Sequence, residues 1–290
     1  MEWYVFAFAS AFFSAIAAII EKKVLFKEKA FEFTVVLSLF NASLAMLFFP
    51  LVDLSKITAA IYGVVFFKSI LNGLAFLCVM YSIKNMELSE ALPLLALTPG
   101  FVAVFAFSLL GEALSLAEMA GLILLMAGVY IHGISAKQKL FDPFRKFFTA
   151  KGHRYVLAAL ALFTVTSLLD RVILTGYKMA PEAYMVFENL FYAAIIPAAF
   201  FICGGKIRGA SKVIISSGKM ILILAAVTMV YRYTYILGVK FSQSVALALA
   251  VKRISVFIAV ILGGVMFREH SLRRRIIATA MLVIGTLLIV

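Results

Sequence analysis

The sequence predicts an all-α protein that crosses a membrane many times, and three observations lead to this fold class. Hydrophobic residues make up 64% of the 290-residue chain and charged residues only 14%, against roughly 45–50% and about 25% in soluble proteins. The mean hydropathy is +1.09. Apolar residues gather in runs close to the roughly 20 residues that a spanning helix needs, whereas the strands of a membrane barrel alternate over about 10 residues.

Ten apolar runs are each long enough to be a spanning helix. Their ranges are 3–20, 31–51, 57–81, 88–110, 116–134, 155–176, 181–203, 220–239, 243–266 and 275–290. The first run lacks a basic leader, so we expect a retained span rather than a signal peptide. Ten helices use about 200 residues, which leaves only short connections between them.

The longest polar stretch divides the chain into two similar halves. Residues 135–154 carry six basic residues and one acid, and they are predicted to link a first unit, 1–134, to a second unit, 155–290. The segment from Tyr81 to Leu110 runs parallel with the segment from Tyr235 to Gly264 at a shift of 154 residues. This self-similarity predicts two copies of one five-helix unit.

The basic residues predict the orientation of the spans. Nineteen lie in the odd-numbered connections and four in the even-numbered ones. The positive-inside rule then places the odd connections in the cytoplasm, and both termini outside, in a plasma or inner membrane. Because five spans per unit is an odd number, the second unit enters from the opposite side, so the units are predicted to be inverted repeats.

Four cationic side chains lie near the middles of predicted spans, namely Lys68, Arg232, Lys252 and Arg253, and Glu188 is the one acid predicted at similar depth. Each such charge costs about 2.5–3.5 kcal/mol on insertion scales, so it requires a compensating role. The positive excess predicts an anionic ligand in a water-filled cavity, clamped by Lys252 and Arg253. In the alternative, Arg232 pairs with Glu188, and Lys68 or Lys252 snorkels or caps a backbone carbonyl.

Polar residues at helical spacing are predicted to line the same lumen. Asn72 lies four residues after Lys68, and Tyr231 and Tyr235 share a helix face. The two tyrosines would contact the organic part of the ligand, or alternatively pack and anchor at the membrane interface. Weaker candidates, because polar residues also join helices, are Asn41, Asn189, Gln243 and Ser244.

Two further roles follow from residues inside the spans. Glu188 is predicted to be a proton-coupling or counter-ion group. Pro93 and Pro99 interrupt the backbone ladder of the fourth predicted helix, so we expect a kink there.

Motifs for enzyme chemistry are absent from the sequence. His132, His153 and His270 are scattered without metal-ligand spacing, and no Gly-rich phosphate loop or nucleophile elbow occurs. Cys78 and Cys203 predict neither a disulfide framework nor a metal site. The basic residues of the connections account for the net charge of +13. We therefore expect no enzyme activity, no cofactor, no metal and no nucleic-acid partner.

The chain resembles the drug/metabolite transporter superfamily, in particular EamA-type proteins with ten helices in two five-helix repeats. The segments that carry the resemblance are Leu92-Pro93-Leu94-Leu95 with Thr98-Pro99, Leu110-Gly111-Glu112, the spacing from Gly121 to Gly128, and Phe267-Arg268-Glu269 with Gly285. Where the first unit has Thr98-Pro99, the second has Lys252-Arg253. This pair is similar to the ninth-helix Lys-Arg pair of the plastid sugar-phosphate/phosphate translocators, which binds the substrate phosphate.

The resemblance and the positive lumen together predict a secondary transporter, exporter or exchanger, of small polar, anionic metabolites. It would work by alternating access, as a monomer or homodimer among membrane lipids. Two alternatives remain open at this point. A laterally open apolar groove would favour a flippase-like transporter of a lipid-linked sugar or phospholipid head group, and a large partner surface would favour a non-transporting receptor or scaffold.

Overall fold

The computed structural model describes residues 2–95, 98–111, 114–133 and 151–266, together with Met281, Ile284, Gly285 and Leu288. Throughout these residues the regular secondary structure is helical and contains no strand, so the predicted all-α class is confirmed. The predicted linker lies outside the described residues up to residue 150. Most of the tenth predicted span, 275–290, also lies outside them.

Eleven α-helices occur in the described part of the chain. They are α1 (Trp3–Leu25), α2 (Ala30–Ala45), α3 (Ala59–Asn85), α4 (Leu88–Leu95), α5 (Thr98–Leu110), α6 (Leu116–Gly133), α7 (Lys151–Arg171), α8 (Pro181–Ile202), α9 (Ile207–Phe241), α10 (Val245–Lys252) and α11 (Ile254–Met266). A 3-10 helix, Met46–Leu51, extends α2, and a π-helical turn, Val172–Gly176, extends α7.

Seven helical segments among the described residues are long and apolar enough to cross a membrane. They are α1, α2 with its extension, α3, α7 with its π turn, α8, α9, and α10 together with α11. Two shorter apolar helices, Thr98–Leu109 and Leu116–Gly128, occupy places where the sequence predicts two further spans. The chain is a multi-pass membrane protein.

Helix α9 is longer than the predicted span 220–239, since it has 35 residues from Ile207 to Phe241. At 1.5 Å per residue it extends about 52 Å, well beyond the roughly 30 Å of bilayer hydrocarbon. The predicted seventh connection is therefore partly helical, and Arg208, Lys212 and Lys219 lie on α9. Lysine and arginine end an apolar run without ending a helix, because both are good helix formers.

The ninth predicted span is divided into two helices. The fourth predicted span contains α4 and α5, and residues 96–97 between them lie outside the described part of the chain. Pro99 occupies the first turn of α5, where a missing backbone N–H costs nothing. Pro93 lies inside α4. In the second half, α10 and α11 meet at Arg253, which forms a turn without any proline.

The helices pack mainly between the two halves of the chain. Helix α1 lies along α9, α3 lies along α7, α2 packs against α8 and α9, and α5 contacts α10. The halves are therefore interleaved, and a cavity at the centre is walled by both.

Basic side chains at the ends of α1 and α7 cap other helices. The Lys22 ammonium donates to the carbonyls of Ile83 and Met86 at the end of α3, at 2.6 and 2.7 Å. The Arg171 guanidinium donates to three backbone carbonyls at the end of α9, those of Val239, Ser242 and Gln243. Carbonyls at a helix C-terminus have no partner within the helix, so these contacts connect α1 to α3 and α7 to α9.

Candidate functional site

A buried cluster of charged side chains lies where α3, α7, α8 and α9 meet. Lys68 of α3 places its ammonium nitrogen 2.9 Å from Oδ1 of Asp170 on α7, and the same nitrogen contacts Glu188 on α8. The other carboxylate oxygen of Glu188 contacts the guanidinium of Arg232 on α9. Lys68 and Glu188 are buried almost completely. The arrangement is a chain of alternating charges, from Asp170 through Lys68 and Glu188 to Arg232.

Neutral hydrogen-bond donors complete the surroundings of Glu188. The Asn72 amide and the Tyr192 hydroxyl donate to Oε1 of Glu188 at 3.1 and 3.3 Å. The ring of Tyr192 also lies below the Arg232 guanidinium, 5.6 Å from its central carbon. A buried carboxylate is costly unless cations and donors surround it, and Glu188 has both.

Asp170 is likewise satisfied by its neighbours. The hydroxyl of Tyr184 on α8 donates to Oδ1, and the hydroxyl of Tyr235 on α9 donates to Oδ2 at 3.2 Å. Asp170 is a second buried acid in the site, whereas the sequence predicted Glu188 alone at this depth. The sequence contained a sign of this second acid, because Asp170 lies inside the apolar run 155–176.

Lys252 lacks a carboxylate partner anywhere in the described part of the chain. Its ammonium nitrogen lies 4.0 Å from the ring centroid of Tyr235 and 5.3 Å from that of Tyr231. An ammonium over an aromatic face is attracted by the ring quadrupole, which compensates part of its desolvation. Its formal charge is not neutralised by this contact.

With the residues that the structure describes, the Arg253 side chain makes one polar contact, a 3.1 Å hydrogen bond from Nη2 to Oγ1 of Thr98. Its Nε is buried without an acceptor, as is Nε of Arg232. A guanidinium presents five donors in a planar fork, so Arg253 retains donor capacity that the described residues do not use.

A cavity of about 140 Å³ lies between these side chains. Its walls come from α2, α3, α7, α8, α9 and α10, and its charged lining consists of Lys68, Asp170, Arg232, Lys252 and Arg253. Asn72, Tyr231 and Tyr235 also line it. The structure thus brings together at one cavity all seven residues that the sequence predicts for substrate binding, with Glu188 behind Lys68 and Arg232.

The remaining predicted residues lie elsewhere. Pro99 is at the start of α5 and is not among the lining residues, and Pro93 is inside α4. Of the four weaker candidates, Asn41 lines the cavity, and its Oδ1 is buried without a donor. Among the described residues, no group of three or more His, Cys, Asp or Glu side chains is placed to hold a metal ion.

The charges around the cavity do not cancel. Lys68 and Arg232 are paired with Asp170 and Glu188, whereas among the described residues the polar and aromatic contacts of the Lys252 and Arg253 side chains are with two rings and a hydroxyl. The cluster of four cations and two acids has a formal excess of two positive charges. A low-dielectric, positively charged cavity attracts a small anion much more strongly than an exposed surface does.

Comparisons with known proteins agree with the fold and with the resemblance noted from the sequence. Residues 1–134 match the model of the EamA-like transporter family, which confirms the resemblance for this part of the chain. A solved crystal structure aligns over 99% of this chain and 97% of its own, with a TM-score of 0.71 and 17% sequence identity. That likeness concerns the fold alone. None of the curated proteins matches this chain.

Proposed function

We propose, from the match of residues 1–134 to the EamA-like transporter family and from the central cavity, that this chain is a secondary transporter of small anionic metabolites. The observation that carries the substrate class is the pair of adjacent cations, Lys252 and Arg253, on a buried cavity without a carboxylate partner in the described residues. A substrate carboxylate or phosphate would supply the missing negative charge.

The two cations offer complementary contacts to an oxyanion. Arg253 contributes a planar fork of donors, and Lys252 contributes a point charge on a flexible stem. The rings of Tyr231 and Tyr235 hold the Lys252 ammonium at the cavity without neutralising it. We infer that Lys252 and Arg253 bind the anionic group and that the tyrosines contact the organic part of the substrate.

The size and lining of the cavity support a small, polar substrate. Its volume of about 140 Å³ is below the roughly 300–1,000 Å³ typical of pockets for drug-sized ligands. The buried acceptor Asn41 Oδ1 lacks a donor, and a hydroxyl or ammonium group on the substrate would satisfy it. These features favour a small metabolite over the lipid-linked sugar or head group of the flippase alternative.

The paired charges have a different role in this proposal. Lys68 and Arg232 are held by Asp170 and Glu188, so they shape the positive wall and contribute to substrate binding only secondarily. Because two cations and two donors surround Glu188, we assign it a counter-ion role rather than proton coupling. Removing the Glu188 carboxylate is therefore expected to lower the stability of the protein rather than to change energy coupling.

Alternating access would use the interleaved packing of the two halves. Discontinuous helices around a site near the bilayer midplane recur among secondary transporters built from inverted repeats. Here the break between α10 and α11 adjoins the cavity, since Arg253 lines it and contacts Thr98 at the start of α5. Rocking of one half against the other would expose the cavity to each side in turn, driven by a gradient or by exchange.

Binding measurements on matched lysine variants test the substrate class. The purified protein is screened by thermal shift against small carboxylates and phosphates, and the affinity of each hit is measured by calorimetry. Lys252→Gln should weaken anion binding roughly tenfold or more, because a charge-assisted contact contributes on the order of 1.5–3 kcal/mol. Lys240→Gln is the matched control, since Lys240 also lies beside an aromatic ring, 5.8 Å from that of Phe241, but does not line the cavity.

Equal affinity in the wild type and in Lys252→Gln would overturn the anion site.

Uptake into proteoliposomes tests transport itself. Flux should follow an imposed ion gradient or preloaded substrate and should not require added ATP. Strict dependence on ATP would refute secondary transport.

A further inference from the structure

A second, larger cavity lies at one end of the helix bundle, away from the central site. It has a volume of about 740 Å³ and is formed by the α1–α2 connection, the end of α3, and the α8–α9 connection with the start of α9. The cationic residues that line it are Lys27, Lys29, Lys84, Lys206, Arg208 and Lys212. None of the residues at this cavity lines the central cavity.

The two acids of this cavity are already engaged. Glu28 accepts hydrogen bonds from the hydroxyls of Ser216 and Ser217 at 2.5 and 2.6 Å. Glu32 pairs with Lys29 at 3.6 Å. Together the two acids leave the six cations of the lining with a formal excess of four positive charges.

Five of the six cations lack any acidic partner in the part of the chain that the structure describes, and four of these five also lack a hydrogen bond. Lys84 donates to the backbone carbonyls of Leu25 and Glu28, and Lys29 pairs with Glu32. The ammonium and guanidinium groups without hydrogen bonds or ion pairs belong to Lys27, Lys206, Arg208 and Lys212. A concave surface that collects unneutralised cations from both halves of the chain is complementary to a phosphate group.

Apolar side chains beside the cavity indicate which kind of phosphate would bind. Ile202 and Ile207, which flank the α8–α9 connection, are 85% and 69% exposed, and Phe201 is also exposed. Exposed apolar side chains at the end of a membrane helix are complementary to lipid acyl chains. A lipid whose head group entered the cavity would have its tails next to this apolar surface, whereas a free phosphate would gain nothing from it.

We propose that this cavity binds the head group of an anionic membrane phospholipid, held by Lys206, Arg208 and Lys212 of the α8–α9 connection and Lys27 of the α1–α2 connection. Basic pockets between membrane helices are suited to anionic head groups. Because the cations come from both halves of the chain, the bound lipid bridges them at one end of the bundle.

The experiment compares two double variants that lose the same charge. Lys206→Gln/Lys212→Gln removes two cations of the cavity, and Lys23→Gln/Lys219→Gln removes two exposed lysines near the same end that do not line it. Binding of phosphatidylglycerol and phosphatidylcholine to each purified protein is measured by native mass spectrometry and by thermal shift. Glycerol 3-phosphate serves as the soluble phosphate.

The wild type and the control variant should bind phosphatidylglycerol in preference to phosphatidylcholine. The cavity variant should bind phosphatidylglycerol roughly tenfold more weakly, with an unchanged melting temperature in the absence of lipid. Equal loss in both double variants would overturn the proposal in favour of nonspecific charge attraction. A response to glycerol 3-phosphate as strong as that to the lipid would overturn the lipid assignment and identify a soluble phosphate as the occupant.

Discussion

Arg253 donates a hydrogen bond to Thr98, with Nη2 and Oγ1 3.1 Å apart, and this contact joins the break between α10 and α11 to the start of α5. The Thr98 hydroxyl in turn donates to the carbonyl of Leu95 at the end of α4. One hydroxyl thus connects the break between α10 and α11 to the end of α4 and the start of α5. The sequence shift of 154 residues relates Thr98-Pro99 to Lys252-Arg253, so segments predicted to be equivalent are in direct contact.

A double-mutant cycle on Thr98 and Arg253 should reveal a coupling of roughly 1–3 kcal/mol in the free energy of unfolding. Thr98→Val and Arg253→Gln each remove one partner of the same hydrogen bond, so the double variant should be less destabilised than the sum of the two. Thr164→Val is the control, since its hydroxyl bonds only to its own helix, at Leu160, and its effect should add to that of Arg253→Gln. Strict additivity in both cycles would contradict the contact.

Glu188→Gln should lower the free energy of unfolding by about 3–5 kcal/mol, because it leaves Lys68 and Arg232 buried with less negative charge. Glu182→Gln on the same helix is the control. Glu182 is partly exposed and accepts one hydrogen bond, from the Tyr233 hydroxyl at 2.5 Å, so its loss should cost about 1 kcal/mol. The measurement is denaturant or thermal unfolding in detergent. A stable Glu188→Gln protein whose transport no longer responds to a proton gradient would contradict the counter-ion role and establish proton coupling.

Lys22→Gln should destabilise the protein by about 2 kcal/mol, because two charge-assisted bonds to the carbonyls of Ile83 and Met86 are lost. The adjacent Lys23 is exposed, and Lys23→Gln should change the free energy of unfolding by less than about 0.5 kcal/mol. The two variants have the same net charge and differ by one position on α1, so only the cap distinguishes them. Equal melting temperatures for the two variants would show that the cap contributes nothing.

Both termini are predicted to lie outside the cell, from the excess of basic residues in the odd-numbered connections. A reporter that is active only outside the cell should give a signal when it is fused after Val290. A reporter that is active only in the cytoplasm should give a signal when it is inserted in the 135–154 connection. A cytoplasmic signal at Val290 would refute either the number of ten spans or the orientation.

The sequence by itself determined the all-α class, the membrane as solvent and the identity of the four embedded cations. These are local properties, since the length of an apolar run and the charge inside it can be read without knowing what lies opposite. The apolar run did not show where the helix itself begins, because lysine and arginine end a hydrophobic run but continue the helix α9 back to Ile207.

Only the tertiary structure decided which charges pair. Lys68 and Glu188 are 120 residues apart in sequence, and Asp170 meets Lys68 only because α7 packs along α3. The packing leaves Lys252 over two aromatic rings while it neutralises Lys68 and Arg232 with carboxylates. Charge type and depth are encoded along the chain, whereas neutralisation depends on distances of a few ångströms between helices, which only their packing sets.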